Sequence, residues 1–241
     1  MAPSEAKHYD RIVAIDGPAG AGKSTIARGA ASKLGFQYLD TGAIYRTYTL
    51  AALRKEIPLG AEDLPESNVH ALIKDVKINL EWDKDPNKPA IVTLDGEEVT
   101  AEIRKNYVTE KIRYIADMKM IRAMATSLQR QTAAGGRFIC EGRDQGTVVF
   151  PNAFLKIYLW ATPQERATRR FNEIVGTPEE IDMETLIRKI MTRDRLDMGR
   201  EVGALKKDMD AIEVDSTELS IEQSIDKVVE LAQTRMQELG L

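Results

Sequence analysis

Short runs of apolar residues alternate along the chain with stretches whose apolar residues recur at helical spacing. The run 11–16 comes first, and the stretch that follows places Ile26 and Ala30 on one helical face. Strands that alternate with helices favour a parallel sheet covered on both faces. The pattern therefore predicts an α/β fold of three layers. Further strands are predicted at 36–39, 138–140, 155–160 and 211–214.

One region breaks this alternation. Apolar residues alternate strictly with polar ones over 76–82, which is typical of a half-buried antiparallel strand. A polar turn at 83–89 follows, and then a second apolar run at 90–94 that ends on an Asp-Gly pair, a strong hairpin signal. We therefore expect a small antiparallel insert at about 59–105 in the α/β core.

Residues that cap a first turn mark the starts of three helices. Thr162 is followed by Pro163 and, three residues on, by Glu165, and the segment 177–180 repeats this order. Ser220 opens the last predicted helix in the same way.

A glycine-rich segment, GPAGAGKS at 17–24, lies between the first predicted strand and helix. It matches G-x-x-x-x-G-K-[ST], in which backbone N–H groups surround phosphates, the lysine reaches the β- and γ-phosphates and the hydroxyl coordinates Mg²⁺. Here these side chains are Lys23 and Ser24. The alternative is a chance match in a turn rich in glycine and alanine, which the flanking strand and helix disfavour. The segment predicts binding of a nucleoside triphosphate.

Composition narrows the chemistry. The 241 residues carry a net charge of −4, which gives no sign of nucleic-acid binding, and no apolar run approaches the roughly 18–20 residues that span a bilayer. The polar stretch 1–10 lacks a signal-peptide apolar segment, so we expect a cytoplasmic protein. A single cysteine, Cys140, excludes an internal disulfide framework, and only two histidines, His8 and His70, disfavour a histidine triad or a zinc site.

Polar residues near the ends of predicted strands form clusters that packing does not explain. In open α/β sheets, ligands bind beyond the carboxyl ends of the strands. The alternative for each arginine, taken singly, is that it is an ordinary solvated surface residue. Together they suit phosphoryl transfer, in which positioning and charge neutralisation dominate catalysis. The clusters are 40–46 with Arg46, Arg122, 141–144, and Arg193 with Asp197 and Arg200.

Four segments closely resemble signatures of the bacterial cytidylate (CMP) kinases, which belong to the nucleoside monophosphate kinases. The likeness runs from about Arg11 to the last helix, and its second and third segments are far more specific than the generic first one. The segments are 15–23, 40–46, 141–151 and 215–222.

This resemblance implies a single P-loop kinase domain over residues 1–241, with a parallel sheet, the antiparallel subdomain and a short lid. The insert would be the nucleoside monophosphate-binding subdomain. The implied parts are a core at about 10–58 and 106–241, the insert at about 59–105 and a lid at about 171–192.

The resemblance also implies roles for matching residues, with MgATP as donor and CMP, together with dCMP, as acceptor. We expect a monomer with no nucleic-acid or membrane partner. ATP would be bound by Gly17, Gly20, Ala21, Gly22, Lys23, Ser24 and Thr25, with Mg²⁺ on Ser24. CMP would be bound by Thr41, Tyr45, Arg46, Arg122, Arg143, Asp144 and Asp197. Phosphoryl transfer would depend on Lys23, Arg143, Arg193 and Arg200.

Cytosine chemistry agrees with the base-reading roles implied for Asp144 and Arg122. The N4 amino group needs an acceptor, which a carboxylate supplies, whereas O2 and N3 need donors, which an arginine supplies. Uracil reverses this pattern at N3 and at the 4-position, so Asp144 would face a carbonyl oxygen and reject it.

Three positions depart from the family pattern. Arg113 stands where relatives carry a serine of the base site, and Glu141 stands where some relatives have Asp. The phrase after Arg200 usually ends Ala-Pro-Leu, whereas residues 203–205 read Gly-Ala-Leu. Loss of the proline removes no ligand, and we expect it to loosen the segment.

Two alternatives stay open at this point. The same chemistry could act on another acceptor, such as UMP or a small alcohol like shikimate. The chain could instead be a nucleotide-switched binding protein that hydrolyses ATP or GTP slowly, although it has no evident guanine-reading Asn-Lys-x-Asp segment.

Overall fold

The structure, a computed structural model, describes residues 11–61, 64–83, 88–177 and 180–241. The expectations for residues 1–10, including His8, lie outside these ranges. The strands are β1 (Ile12–Asp16), β2 (Gln37–Asp40), β3 (Ile78–Glu81), β4 (Ile91–Leu94), β5 (Glu97–Glu98), β6 (Phe138–Gly142), β7 (Leu155–Trp160) and β8 (Ile212–Asp215). The α-helices are α1 (Lys23–Leu34), α2 (Thr41–Arg54), α3 (Glu66–Ile73), α4 (Asn106–Thr109), α5 (Ile112–Ala116), α6 (Lys119–Ala133), α7 (Pro163–Ile174), α8 (Met183–Met198) and α9 (Ile221–Leu239).

A parallel sheet forms the middle layer, with its strands in the order β2-β6-β1-β7-β8. Strand β1 lies at the centre, and all five of its residues are buried. Burial on both faces explains why its sequence is almost continuously apolar. Helices α1 and α9 contribute Ala30 and Val228 to one core cluster, and α2 and α6 contribute Ile44 and Ile121 to another. The predicted α/β class is confirmed.

A smaller antiparallel sheet pairs β3 with β4 and β4 with β5, as the alternating pattern predicts. Leu80 is buried on β3, whereas its neighbour Glu81 is exposed. Asp95 and Gly96 connect β4 to β5 with φ values of 50° and 89°, the backbone that a tight two-residue hairpin requires.

Trp82 joins the small sheet to the main one. Its indole N–H donates to the Tyr38 carbonyl oxygen (2.8 Å), and its ring meets the edge of Phe138 with centroids 5.2 Å apart. Within the turn predicted at 83–89, residues 84–87 lie outside the described ranges. The bounds of the subdomain stay a prediction.

Helices α7 and α8 pack on each other through an apolar cluster of their own, which includes Ala167, Leu186 and Ile190. Helix α7 begins as predicted, because the Thr162 hydroxyl accepts a hydrogen bond from the backbone N–H of Glu165 (3.3 Å). The lid predicted over these helices stays a prediction.

The helix start predicted at 177–180 is wrong. Helix α8 begins at Met183, where the Asp182 carboxylate accepts from the backbone N–H of Thr185 (2.8 Å) and so caps the first turn. Pro178 and Glu179 lie outside the described residues. Across the helices that the structure does describe, none is long and apolar enough to cross a membrane.

Candidate active site

One cavity of about 780 Å³ opens near the carboxyl ends of β1, β2 and β6. Gly17 and Ala21, although described, do not line it. The cavity joins segments that are far apart in the chain, and it includes the other predicted residues. These are Gly20, Gly22, Lys23, Ser24, Thr25, Thr41, Tyr45, Arg46, Arg122, Arg143, Asp144, Arg193, Asp197 and Arg200.

The loop between β1 and α1 requires glycine at two positions for different reasons. A Cβ on Gly17 would lie 1.9 Å from the carbonyl oxygen of Leu159, so this glycine lets the loop pass close to β7. Gly22 has a φ of 84° and places a left-handed residue directly before α1. The first N–H groups of a helix have no partner within it, so this helix start suits an anion.

Lys23 is buried inside the loop, where its ammonium donates to the carbonyl oxygen of Pro18 (2.7 Å). Burial, together with the positive charge of Arg143, lowers the pKa of this ammonium to about 7. A phosphate bound in the loop would favour the charged form, because an adjacent anion stabilises an ammonium.

Ser24 and Glu141 meet at the start of α1. The Ser24 hydroxyl donates to Glu141 Oε1 (2.9 Å), and Tyr38 donates to the same oxygen (3.3 Å). The Glu141 carboxylate is buried at the carboxyl end of β6, beside β1, and lines the cavity. Glu141 belongs to the predicted cluster 141–144, but we predicted no role for it. An acid at the end of the strand beside the P-loop strand is one sequence sign of a magnesium site.

The donor set at this point fits Mg²⁺. A hydroxyl and a carboxylate are hard oxygen ligands, and Mg²⁺ is usually held by one or two protein ligands together with phosphates and waters. Within the described residues no group of three or more His, Cys, Asp or Glu side chains could hold a metal ion by itself.

Asp16 fixes the loop that follows β6. Its two carboxylate oxygens accept from the backbone N–H groups of Gln145 (2.8 Å) and Gly146 (2.7 Å), directly after Asp144. Burial raises the pKa of Asp16 to about 7, against the effect of these two hydrogen bonds. The only sequence signal for this role is an acid at the end of an apolar run.

Asp197 holds two of the predicted arginines. Its carboxylate accepts from Arg143 Nε (2.8 Å) and pairs with Arg200 Nη2 (2.6 Å), and Arg200 Nε also pairs with Asp117 (2.7 Å). Burial alone would raise the pKa of Asp197, but the charges of Arg143 and Arg200 hold it below its ordinary value. The arginines are therefore ordered before any ligand arrives.

Arg46 and Arg193 differ in their partners. Arg46 Nη1 donates to the hydroxyl of Thr109 (2.6 Å). Arg193 is exposed in the cavity wall and has no hydrogen bond or ion pair with any residue that the structure describes. A cation without a partner in the cavity is suited to an incoming anion.

A buried pair closes the end of the cavity nearest to α6. Arg122 is only 4% exposed, and its guanidinium donates to Asp144 Oδ2 (2.5 Å) and to the carbonyl oxygen of Ala116 (2.8 Å). Its Cζ lies 5.3 Å from the centroid of the Tyr45 ring. This end therefore offers a carboxylate, a guanidinium and an aromatic ring in fixed positions.

The wall of the cavity also includes residues that we did not predict. Arg169 donates to the carbonyl oxygen of Ser216 (2.5 Å) and to Glu165 (2.9 Å). Arg169, Leu219 and Ile221 all line the cavity. Arg113, by contrast, is exposed on the Tyr114 ring (4.5 Å) and does not line the cavity. Its departure from the family pattern therefore does not alter the described wall.

Comparisons with known proteins agree with this geometry. A family model described as "Cytidylate kinase" matches residues 13–234. A protein of that name from Pelodictyon phaeoclathratiforme is 42% identical over 228 residues, which are 93% of this chain and 95% of the relative. The cytidylate kinase of Geobacillus sp. (strain WCH70) is 41% identical, over 93% of this chain and 97% of the relative. The cytidylate kinase of Bacillus subtilis (strain 168) is 40% identical, over 92% of this chain and 96% of the relative.

Proposed function

The chain belongs to the cytidylate kinase family and is a phosphotransferase that acts on CMP; we propose that its donor is MgATP and that dCMP is a second acceptor. One observation carries the assignment of the site. A single cavity contains a phosphate-binding loop, a group of arginines and a buried Arg122–Asp144 pair. Two nucleotides with adjoining phosphates would place negative charge on the loop and arginines and a base on the buried pair.

The donor occupies the side of the cavity that contains the P-loop. Its phosphates lie on the backbone of residues 20–25, next to Lys23 and the start of α1. Its base and ribose extend towards Arg169, Leu219 and Ile221, where a planar guanidinium and apolar side chains suit an aromatic ring.

The acceptor occupies the other side. Arg46 and Arg143 bind its phosphate, Thr41 and Tyr45 line its site, and Asp197 accepts from its ribose hydroxyls. dCMP keeps the 3′-hydroxyl and the whole base, so it retains most of these contacts.

The base is selected by the buried pair. Asp144 accepts from the N4 amino group of cytosine, and Arg122 donates to acceptors on the ring. In UMP the carbonyl oxygen at the 4-position would face the carboxylate, and that repulsion has no compensating hydrogen bond.

The transfer step exchanges one P–O bond for another. An oxygen of the acceptor phosphate attacks the γ-phosphorus, the bond from that phosphorus to the β,γ-bridging oxygen breaks, and ADP leaves with the electron pair. Lys23, Arg193 and Arg200 neutralise the charge that develops during this exchange. Ser24 and Glu141 would hold Mg²⁺, which neutralises phosphate charge and orients the phosphates when bound.

Closure of a lid over 171–192 would exclude water, which would otherwise accept the phosphoryl group. Since one chain supplies every side chain named for the reaction, we infer that a monomer is sufficient. We propose the cytoplasm as its location. A specific activity that does not change when the protein is diluted to concentrations at which a dimer would dissociate would support the monomer.

The test is a panel of acceptors in a coupled assay of ADP release, with identification of the phosphorylated product. CMP should be the preferred acceptor, dCMP should be accepted, and UMP and shikimate should be poor. Preferred turnover of UMP or shikimate would overturn the assignment. ATP hydrolysis without any phosphorylated acceptor would instead favour a nucleotide-switched protein.

A further inference from the structure

Gly203 approaches the guanidinium of Arg122 more closely than a residue with a side chain could. A Cβ at this position would lie 2.0 Å from Nη2, 2.4 Å from Cζ and 2.5 Å from Nε of Arg122. The backbone of Gly203 has a φ of 68°, which L residues with side chains rarely adopt. Space and conformation both require glycine here.

The contact completes the surroundings of the base-reading guanidinium. Asp144 and the carbonyl oxygen of Ala116 accept its hydrogen bonds, and the Tyr45 ring lies against it. Gly203 lies next to the same guanidinium, and because a Cβ there would overlap it, a larger residue would push the guanidinium away from Asp144.

The segment that carries Gly203 is buried and held in place. Gly203, Ala204 and Leu205 are all buried, and the backbone N–H of Leu205 donates to the carbonyl oxygen of Asp197 (2.9 Å). The expectation that loss of the family's proline loosens this segment stays a prediction.

Glycine and alanine at 203 and 204 also permit a path that Ala-Pro would not. A proline restricts the residue before it to extended conformations, and alanine disfavours a φ of 68°. The departure from the family pattern and the close contact with Arg122 are thus one structural feature.

We propose that Gly203 is a positioning residue for base recognition, because its left-handed backbone and missing side chain keep the Arg122 guanidinium on Asp144. This deepens the proposed function and rests on it, since it assumes that Arg122 and Asp144 read the cytosine ring. Gly203 acts on the base through Arg122, so it sets the preference for CMP over UMP and contributes nothing to the donor site.

A side chain at position 203 has a flexible neighbour to displace. Arg122 also lines a second cavity of about 460 Å³, with Val202 and Arg130 in its wall. This nearby space could accept a displaced side chain, so we expect the main chain to stay folded.

The experiment compares Gly203→Ala with Gly135→Ala. Gly135 has a φ of 77°, and a Cβ added there would meet no atom within 4 Å, so its substitution imposes similar backbone strain without the contact. Steady-state constants for CMP, UMP and ATP are measured for both variants and the unsubstituted chain, together with melting temperatures.

Gly203→Ala should raise KM for CMP about tenfold and lower the CMP-to-UMP ratio of kcat/KM by about as much, because a charge-assisted contact of the base site is displaced. KM for ATP should change less than about twofold, since the donor site is untouched. Gly135→Ala should lower the melting temperature alone. An unchanged ratio in folded Gly203→Ala would overturn the proposal.

An Arg122→Ala background separates positioning from general damage. There, Gly203→Ala should not lower the ratio further, because the residue through which it acts is gone; a further fall of similar size would contradict the positioning role. If Gly203→Ala does not fold, Ala204→Pro moves Gly203 out of its conformation without adding a side chain there, and the same loss of preference is required.

Failure of this inference differs from failure of the proposed function. If the unsubstituted chain does not phosphorylate CMP, the proposed function fails. If it does, and neither variant at 203 or 204 changes the preference, only the positioning role fails.

Discussion

The two ends of the cavity recognise their ligands by different means. In the proposed function, the phosphate end is the short segment from Gly20 to the first turn of α1, where main-chain N–H groups together with Lys23 would bind the anion. The base end is built from side chains of separate elements: Tyr45 on α2, Arg122 on α6 and Asp144 after β6.

This difference separates affinity for phosphate from choice of base. A backbone loop binds the phosphates of any nucleotide equally, because every nucleotide carries the same anion. A base is distinguished only by donors and acceptors in fixed positions, which here already bind each other. Substitutions at the phosphate end should therefore change rate, and those at the base end should change preference.

The largest effect is expected from Lys23→Ala at the phosphate end. Loss of this cation should lower kcat by about a hundred- to a thousandfold, because it neutralises charge in the transition state, and should leave the CMP-to-UMP preference unchanged. Lys33→Ala, also on α1 and paired with exposed Asp226, is the matched control and should retain activity. A near-normal kcat in Lys23→Ala would contradict the expectation that substitutions at the phosphate end change the rate.

Asp144→Asn tests the base end. The CMP-to-UMP ratio of kcat/KM should fall about ten- to a hundredfold, because an amide no longer repels the uracil carbonyl and binds the cytosine amino group less strongly. KM for ATP should hardly change. Asp226→Asn, a change of the same type on the exposed face of α9, should leave the ratio as it is. If the ratio were the same in Asp144→Asn, Asp144 would have no part in base choice.

Glu141→Gln tests where the phosphate end of the cavity stops and the base end begins. The Mg²⁺ concentration for half-maximal rate should rise about tenfold, since the carboxylate that accepts from Ser24 is neutralised. The preference among acceptors should stay constant. A changed preference with unchanged Mg²⁺ dependence would move Glu141 to the base end.

The smallest effect is expected on stability, from Asp16, which connects the end of β1 to the loop that follows β6. Burial raises its pKa from 3.8 to about 7, so the folded chain binds its proton more tightly than the unfolded chain. The resulting stabilisation is present below about pH 4 and is lost as the pH rises through about 7. The free energy of unfolding should therefore fall with pH in this window, by the slope of at most about one proton.

Chemical denaturation at several pH values measures that slope, with Asp16→Asn as the comparison. The variant should lack this contribution, so the slope of the unsubstituted chain minus that of the variant should be negative across the window. Equal slopes would show that Asp16 does not titrate there.

Sequence patterns predicted the larger elements because each depends on neighbours along the chain. The buried β1, the alternating β3 and the Asp-Gly hairpin follow from periodicity and turn chemistry. The start of α8 was missed because two segments carry capping signals, and the structure uses Asp182. No role was predicted for Glu141 or Asp16, because their contacts with Ser24 and Gln145 join residues that are far apart in the chain.

The sequence by itself determined the parallel α/β core, the antiparallel hairpin and the phosphate loop, since each is encoded by residues close together in the chain. Only the tertiary structure decided which distant side chains meet. Asp16 reaches Gln145 across 129 positions, Arg143 reaches Asp197 across 54, and Gly203 lies against Arg122. The physical reason is that hydrogen bonds and close packing depend on separation in space, which the order of residues sets only after the sheet has brought the strand ends together.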